Sequence, residues 1–187
     1  MTTNLTDEEL LHIAIEAARR GDHGAAISYL KDGIARFADN PKLAYLLGAE
    51  YAQIGLYDQA EVEMERALQL EPQLFTACFQ LGLLKLSQAK LEAANTTWQR
   101  LDVLPAENPL QLFRKGLLAL AEDKYPEARA LLQQGIAAND FSPDLNRDMQ
   151  NVIASMPVSE EPVTAQASTE HVWLSAYRTE GSDGNKH

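Results

Sequence analysis

The sequence is poor in cysteine and in basic residues. Its 187 residues include one cysteine, Cys78, which excludes an internal disulfide and any site built from several thiolates. The chain has 16 lysines and arginines and 27 aspartates and glutamates, so its formal net charge is -11. Because phosphate backbones and anionic lipids are bound mainly through lysine and arginine, neither nucleic acid nor an anionic membrane surface is expected as a partner.

The sequence also lacks targeting and membrane-spanning patterns. Its start, MTTNLTDEELLHIAIEAARR, does not have the basic-then-apolar order of a signal peptide. No stretch approaches the roughly 18 uninterrupted apolar residues of a membrane helix. These patterns predict a soluble chain without membrane insertion. Since one cysteine requires no oxidising compartment, the predicted location is the cytoplasm.

Residue patterns typical of catalysis and metal binding are missing as well. The four histidines, His12, His23, His171 and His187, have no metal-ligand spacing, and no HExxH, GxSxG, GxGxxG or P-loop motif occurs. Cys78 is interpreted as a buried, inert thiol. The sequence therefore predicts a protein that is not an enzyme and that has no cofactor and no metal.

What the sequence does contain is a repeat of 34 residues. Glycine recurs at Gly48, Gly82 and Gly116, and Ala14 takes the same place one period earlier. Glycine inside a helix costs about 1 kcal/mol relative to alanine, so its recurrence predicts that a neighbouring helix passes where a side chain would collide. The same shift relates a series of larger apolar residues, namely Leu30, Met64, Trp98 and Leu132.

Each unit is predicted to be a pair of helices. A short turn joins the two helices near four residues at the same spacing, Gly21, Gly55, Ala89 and Asp123. Pro72 ends the second helix of the second unit, because proline has no amide hydrogen and clashes with the preceding turn. Four consecutive units at constant spacing indicate a repeat array.

The second unit carries the most complete residue pattern, which consists of Leu47, Gly48, Tyr51, Gly55, Tyr57, Ala60, Ala67 and Pro72. This pattern resembles the register of the tetratricopeptide repeat, an antiparallel helix pair. From about Asp7 to Phe141 the chain resembles this family, in four tandem repeats. The resemblance implies an all-α fold: a right-handed α-solenoid of helix hairpins with a C-terminal capping helix and a tail. The chain departs from the family at Lys85 and Lys115, where an aromatic residue and a leucine are favoured.

The predicted organisation is one repeat domain followed by a tail. The repeats cover about 7–40, 41–74, 75–108 and 109–142, and a capping helix over 143–156 completes the domain 1–156. Ser142 and Pro143 form the expected start of the capping helix, which covers the packing face that the last repeat leaves open. The linker and tail, 157–187, contain an aromatic segment over 171–178 with the apolar residues Val172, Trp173, Leu174 and Tyr177.

By the same resemblance, the first helix of each pair lines a concave groove that binds a peptide or helix of another protein. The residues at the groove positions are Leu11, Ile15, Tyr45, Ala49, Phe79, Leu83, Leu86, Phe113, Arg114, Leu117 and Leu120. Only Arg114 matches the polar clamp with which some family members hold chaperone C-termini, so that co-chaperone role is not expected. The alternative is that the apolar residues pack against their own neighbours.

The predicted function is a non-enzymatic protein-interaction module. Two more specific interpretations stay open: a bacterial secretion-type chaperone that shields apolar segments of exported clients, and an assembly scaffold that fixes a partner or a second copy of the chain. Three interpretations of the tail segment stay open: it occupies the groove of its own chain and gates it, it extends the cap as a further helix, or it recruits a partner. Burying its aromatic residues yields roughly 10 kcal/mol, and ordering it costs roughly 8 to 16 kcal/mol, so docking would be displaceable.

Overall fold

The computed structural model describes residues 5–157, and all regular secondary structure in that range is helical. Four hairpins are followed by a single helix and contain one 3-10 helix, Gln99–Val103. The linker and tail, with the predicted aromatic segment 171–178, lie outside the described residues. The α-helices are α1 (Asp7–Arg19), α2 (His23–Arg36), α3 (Pro41–Gln53), α4 (Tyr57–Leu70), α5 (Phe75–Ser87), α6 (Leu91–Trp98), α7 (Pro109–Ala121), α8 (Tyr125–Ala138) and α9 (Pro143–Ser155).

Every hairpin turns through one residue with a left-handed backbone. The φ angle is +75° at Gly21, +79° at Gly55, +59° at Ala89 and +60° at Asp123. The four turns therefore lie at the four residues that the sequence predicts. Glycine adopts this conformation freely, whereas a residue with a Cβ pays about 1 to 2 kcal/mol for it. The third and fourth turns thus carry backbone strain that the first two do not.

Helix starts are fixed by side chains at repeat positions. Asn40 and Asn108 each accept a hydrogen bond from the backbone two residues on, and each precedes a proline at the first helical position of α3 or α7. Ser142 accepts from the backbone N–H of Leu145 in the same way at α9. The predicted start of the last helix is therefore observed.

The described residues divide into two compact units. The first contains residues 5–86 and 91–100, which hold α1 to α4, α6 and nearly all of α5. The second contains residues 87–90 and 101–157, with the turn between α5 and α6, and α7 to α9. Each unit has its own packed interior.

In the first unit the mid-helix glycines touch the second helix of their own hairpin. A Cβ atom placed on Gly48 would lie 2.7 Å from Cγ of Met64 and 3.0 Å from the carbonyl oxygen of Ala60. One placed on Gly82 would lie 2.1 Å from Nε1 of Trp98. Interiors packed this densely can absorb such contacts only if a side chain or the opposite helix shifts. The collision that the glycine series predicts is thus present in the structure.

The second unit repeats this contact and adds a cap. A Cβ on Gly116 would lie 2.7 Å from Cδ2 of Leu132. Helix α9 packs on α8, and the two Nη atoms of Arg129 on α8 donate to the carbonyl oxygens of Ile153 (3.2 Å) and Pro157 (3.3 Å). The side of α9 that faces the protein buries Leu145, Met149 and Val152, with Met156 just after the helix, whereas its outer side is polar.

Candidate functional site

Helices α1 and α3 of the first unit begin at a common hollow. Its walls are the start of α1, the end of α2, residues 37–40, the first residues of α3, and Glu71 just after α4. Its volume is about 640 Å³, and it is open to solvent. Because both helices begin there and contact each other, they run side by side away from it.

Four predicted groove residues extend from this hollow along the two helices. Leu11 and Ile15 are one turn apart on α1, and Tyr45 and Ala49 are one turn apart on α3. All four are half-buried, so part of each side chain is open to a ligand. Leu11 also lines the hollow, which makes the two features continuous. These four residues are called the α1–α3 face below.

Tyr45 is the aromatic member of the α1–α3 face. Burial raises the pKa of its hydroxyl to about 12, because removal from water disfavours the phenolate. The phenol therefore keeps its proton well into the alkaline range. Its ring supplies apolar area and its hydroxyl a polar group, a combination common at protein interfaces.

The equivalent residues on α5 belong to the core. Phe79 has 0% exposed area and stacks on Trp98, with ring centroids 5.8 Å apart. The indole Nε1 of Trp98 donates to the carbonyl oxygen of Phe79 at 2.9 Å. Leu83 and Leu86 are also buried. For these residues the structure favours the alternative of packing against neighbours, and a role in ligand binding stays a prediction.

The predicted groove residues of α7, in the second unit, are placed similarly. Phe113 is fully buried, and its ring lies against Gly135 of α8, where a Cβ atom would be 2.5 Å from Cδ1 of the ring. Leu117 and Leu120 are buried too. Arg114 is half-buried and forms an ion pair with Asp102 of the 3-10 helix. Its guanidinium therefore already has a carboxylate partner within its own unit.

Two polar contacts of the first unit were not predicted. Lys85, where the family favours an aromatic residue, places Nζ 3.0 Å from Oε1 of Glu65 and 3.2 Å from Oγ1 of Thr97. His23 places Nδ1 2.8 Å from Oε2 of Glu50. The sequence signal for the Lys85 contacts is a lysine at an interior position of the repeat. Its partners could not be read from the sequence, because Thr97 and Glu65 are 12 and 20 residues away along the chain. These contacts tie neighbouring helices together.

A third unpredicted network precedes the last helix, in the second unit. The buried Asn139 donates from Nδ2 to Oδ1 of Asn146 (2.8 Å) and to the carbonyl oxygen of Ser142 (2.9 Å). Asn146 donates back to the carbonyl oxygen of Asn139 at 3.1 Å. The two amides thereby fix the angle at which α9 leaves α8.

Features of other site classes were sought in the same range. Between residues 5 and 157 no three histidines, cysteines or carboxylates come together in a way that could hold a metal ion. Cys78 is buried, and its thiol donates to the carbonyl oxygen of Thr97 at 3.2 Å. Every helix in the described range is too short or too polar to span a bilayer.

The repeat geometry agrees with a known family. Residues 17–78, which cover most of the first two hairpins, match the family model of the tetratricopeptide repeat. The matched part of the chain therefore consists of tetratricopeptide repeats. Tetratricopeptide repeats generally form scaffolds that bind other proteins, and they are generally not catalytic. No curated protein matches the chain.

Solved structures share the fold at low sequence identity. A tetratricopeptide repeat protein from Parabacteroides merdae is 20% identical with a TM-score of 0.58, over 79% of this chain and 60% of that one. A thermophilic one from Thermus thermophilus is 16% identical with a TM-score of 0.65, over 79% and 81%. MamA (41-end) from Desulfovibrio magneticus is 18% identical with a TM-score of 0.58, over 79% and 82%.

At these identities the solved structures show the fold alone. They confirm the predicted fold class, an all-α solenoid of tetratricopeptide helix hairpins. This chain spans about 60% of the length of the Parabacteroides protein.

Proposed function

We propose that the protein binds a peptide or helix of another protein through the α1–α3 face of its first unit. The observation that carries the proposal is a difference in burial among equivalent positions. Tyr45 is half-buried on this face, whereas Phe79 and Phe113 at the same repeat position lie in the core. Apolar and aromatic side chains that stay accessible side by side on two helices suit an apolar ligand segment.

The chemistry of the face narrows the ligand. Leu11 and Ile15 offer aliphatic contact area, and Ala49 leaves room for a ligand side chain to approach α3. Tyr45 adds the accessible part of its aromatic side chain. A ligand segment with two or three apolar side chains fits these properties. Binding of this kind needs no catalytic group and no cofactor.

An assembly scaffold is the second candidate. It is favoured by two apolar side chains at the turn between α3 and α4, Ile54 and Leu56, which are each 42% exposed. A second apolar surface on the first unit would let one chain hold a partner or a second copy there. The secretion-type chaperone would use the α1–α3 face itself. That role and the cytoplasmic location stay predictions.

The proposal is tested by affinity capture of partners from the native cell extract, with the full chain and with two variants as baits. Ile15→Glu places a charge on the α1–α3 face, and Val62→Glu places the same charge on α4, where the side chain is 63% exposed. Circular dichroism melts establish that both variants fold. We expect Ile15→Glu to lose at least tenfold in bound partner, quantified by mass spectrometry, and Val62→Glu to retain it. Equal capture by both variants would contradict the proposal.

A third variant separates the scaffold from the peptide-binding module. Leu56→Glu removes the apolar surface of the α3–α4 turn without touching the α1–α3 face. If the protein is a scaffold, this variant loses a stoichiometric partner or the dimer in size-exclusion chromatography with light scattering. If the α1–α3 face carries the function, the variant captures partners as the original chain does.

A further inference from the structure

We propose that the partner segment carries a basic residue beside its apolar side chains and places it in the hollow at the start of the α1–α3 face. This inference rests on the proposed function, because it names the chemistry of the ligand that the face binds. The hollow and the face both lie within the first unit. Two observations carry the inference: the charge of the hollow, and its position one helical turn from the apolar residues of the face.

The side chains around the hollow give it an excess of negative charge. Two cations and four carboxylates line it, the carboxylates being those of Asp7, Glu8, Asp39 and Glu71. One of the two cations, Arg36, already donates to the carbonyl oxygen of Leu5. Because charges of one sign in a concave site reinforce each other's field, a cationic side chain of a ligand is attracted there.

An anionic ligand suits the hollow less well, although the positive ends of two helices meet there. Side chains already use part of the backbone donors at both helix starts. At α1, Thr6 accepts from the backbone N–H of Glu9, and the Glu9 carboxylate accepts from that of Thr6. At α3, Asn40 accepts from the backbone N–H of Lys42, and Pro41 has no N–H to offer. An anion would therefore face four carboxylates with a reduced set of donors.

The walls of the hollow also fit the stem of a basic side chain. Leu11, Phe37 and Pro41 contribute apolar area to the walls. Lysine and arginine cover such area with their aliphatic stems while their charged heads remain near carboxylates or water. An arginine head can contact both oxygens of one carboxylate. The hollow thus offers both kinds of surface that a basic side chain uses.

The geometry of the two helices sets the spacing of the ligand side chains. Asp7, Leu11 and Ile15 follow one another at intervals of four residues on α1, which is about 6 Å along a helix. Pro41 in the hollow and Tyr45 and Ala49 on the face repeat these intervals on α3. In an extended peptide, every second side chain lies on one side, about 6.6 Å apart. The fitting ligand therefore has apolar residues two and four positions from its basic residue, or about four and eight positions away if it is helical.

Selection of peptides by the full chain tests the proposal. Phage that display random dodecapeptides are selected on the immobilised protein, and the enriched sequences are determined. We expect lysine or arginine to be enriched at one of these two spacings from a pair of apolar residues. The most enriched peptide is then synthesised with a fluorescent label and serves as the probe in fluorescence polarisation.

Charge reversal separates the hollow from the general acidity of the chain. Asp39→Lys with Glu71→Lys reverses two carboxylates that do not cap a helix start, and should weaken binding of the probe peptide about fivefold. Asp58→Lys with Glu92→Lys makes the same change of net charge at exposed residues outside the hollow, and should leave the affinity unchanged. Circular dichroism melts establish that both variants fold.

A change in the probe peptide completes the test. With glutamate in place of its basic residue, the peptide should bind the original chain about fivefold more weakly. It should regain affinity for the Asp39→Lys, Glu71→Lys variant, because the two charges are then reversed together. Such a rescue assigns the basic residue to the hollow.

Three results would overturn the proposal. The first is selection of peptides without an excess of basic residues, or of no peptide at all. The second is equal weakening by the two charge-reversal variants, because the attraction would then follow from net charge alone. The third is a glutamate peptide that binds the variant no better than it binds the original chain.

The two proposals fail separately. Binding of the probe that falls with Ile15→Glu, but not with reversal of Asp39 and Glu71, keeps the proposed function and removes the basic residue from the hollow. Binding that falls with the reversal and is indifferent to Ile15→Glu removes the α1–α3 face as the ligand site, and the inference with it. Binding that falls with both changes supports both proposals.

Discussion

The first and last hairpins use the same repeat position in opposite ways. Leu11 on α1 and Phe113 on α7 are equivalent, yet Leu11 is half-buried at a solvent-filled hollow and Phe113 is fully buried. The difference follows from what lies across the hairpin. Gly135 on α8 leaves room for the ring of Phe113, whereas its equivalent Gly33 on α2 is covered by Leu43 of the next hairpin. The position in the repeat therefore does not decide whether a residue is buried in the core or stays partly accessible.

The largest change in the free energy of unfolding is expected when the aromatic residues at that position, Phe113 and Tyr45, are replaced by alanine. Phe113→Ala empties a fully buried site and should lower the free energy of unfolding by about 3 to 5 kcal/mol. Tyr45→Ala on the α1–α3 face should cost less than half of that, because part of its surface already faces water. Urea unfolding followed by circular dichroism measures both. Val103→Ala, at a side chain that is 76% exposed, is the control. Equal losses for the two aromatic variants would remove the distinction between core and face.

Close helix contact is predicted to be a property of both units. Gly48→Leu in the first unit and Gly116→Leu in the second each drive a side chain into the opposite helix, so each should lower the free energy of unfolding by about 1 to 3 kcal/mol. Thermal melts of the two variants check this expectation. Gly24→Ala is the matched control, since the nearest atom to its new Cβ is 3.8 Å away. A tolerated leucine at either site would mean that the hairpin spacing is not set by its glycine.

The raised pKa of Tyr45 predicts that the stability of the protein falls at alkaline pH. Its pKa is raised from 10 to about 12, so the neutral form stabilises the fold below pH 10, and this contribution is lost as the pH rises towards 12. At pH 11 the loss should be about 1 kcal/mol, following from 1.36 kcal/mol per pH unit. In an absorbance titration, Tyr45 should ionise late, and so should Tyr125, whose pKa is raised by its hydrogen bond to Asp123 and by burial. Tyr45→Phe should remove the Tyr45 phase, whereas Tyr125→Phe should leave it in place.

The smallest predicted effect concerns the hairpin turns. Ala89 holds a left-handed backbone that its equivalent Gly55 adopts without strain. Ala89→Gly should therefore raise the free energy of unfolding by up to about 1 kcal/mol, and Gly55→Ala should lower it by a similar amount. Denaturation midpoints of the two variants provide the measurement. Changes of the same sign in both would show that strain at these turns is not the deciding factor.

The fold follows from local chemistry in the sequence, and most of it could be predicted. Glycine at fixed spacing marks both the close helix contacts and the first two turns, and Ser142 marks the start of α9, because each effect depends on the backbone near that residue. The exposure of the groove residues could not be predicted in this way. Phe79 is removed from any accessible face by Trp98, 19 residues away, and nothing in its own repeat position signals that stacking.

The same limit applies to the departures from the family pattern. A lysine at position 85 is visible in the sequence, but whether it disrupts the packing or finds partners depends on Glu65 and Thr97 on other helices. In the structure it finds both. Polar partners of this kind depend on the distance between helices, which the spacing of residues along the chain does not give.

The stacking of Trp98 on Phe79 has an optical consequence. Trp98 is fully buried in the first unit, and residues 101–157 of the second unit contain no tryptophan. In a Trp173→Phe variant, which leaves Trp98 as the one tryptophan of the chain, fluorescence therefore reports on the first unit, while far-ultraviolet dichroism reports on the helices of both. Melting curves from the two signals that coincide would show one cooperative protein, and curves that separate would give the order in which the units unfold.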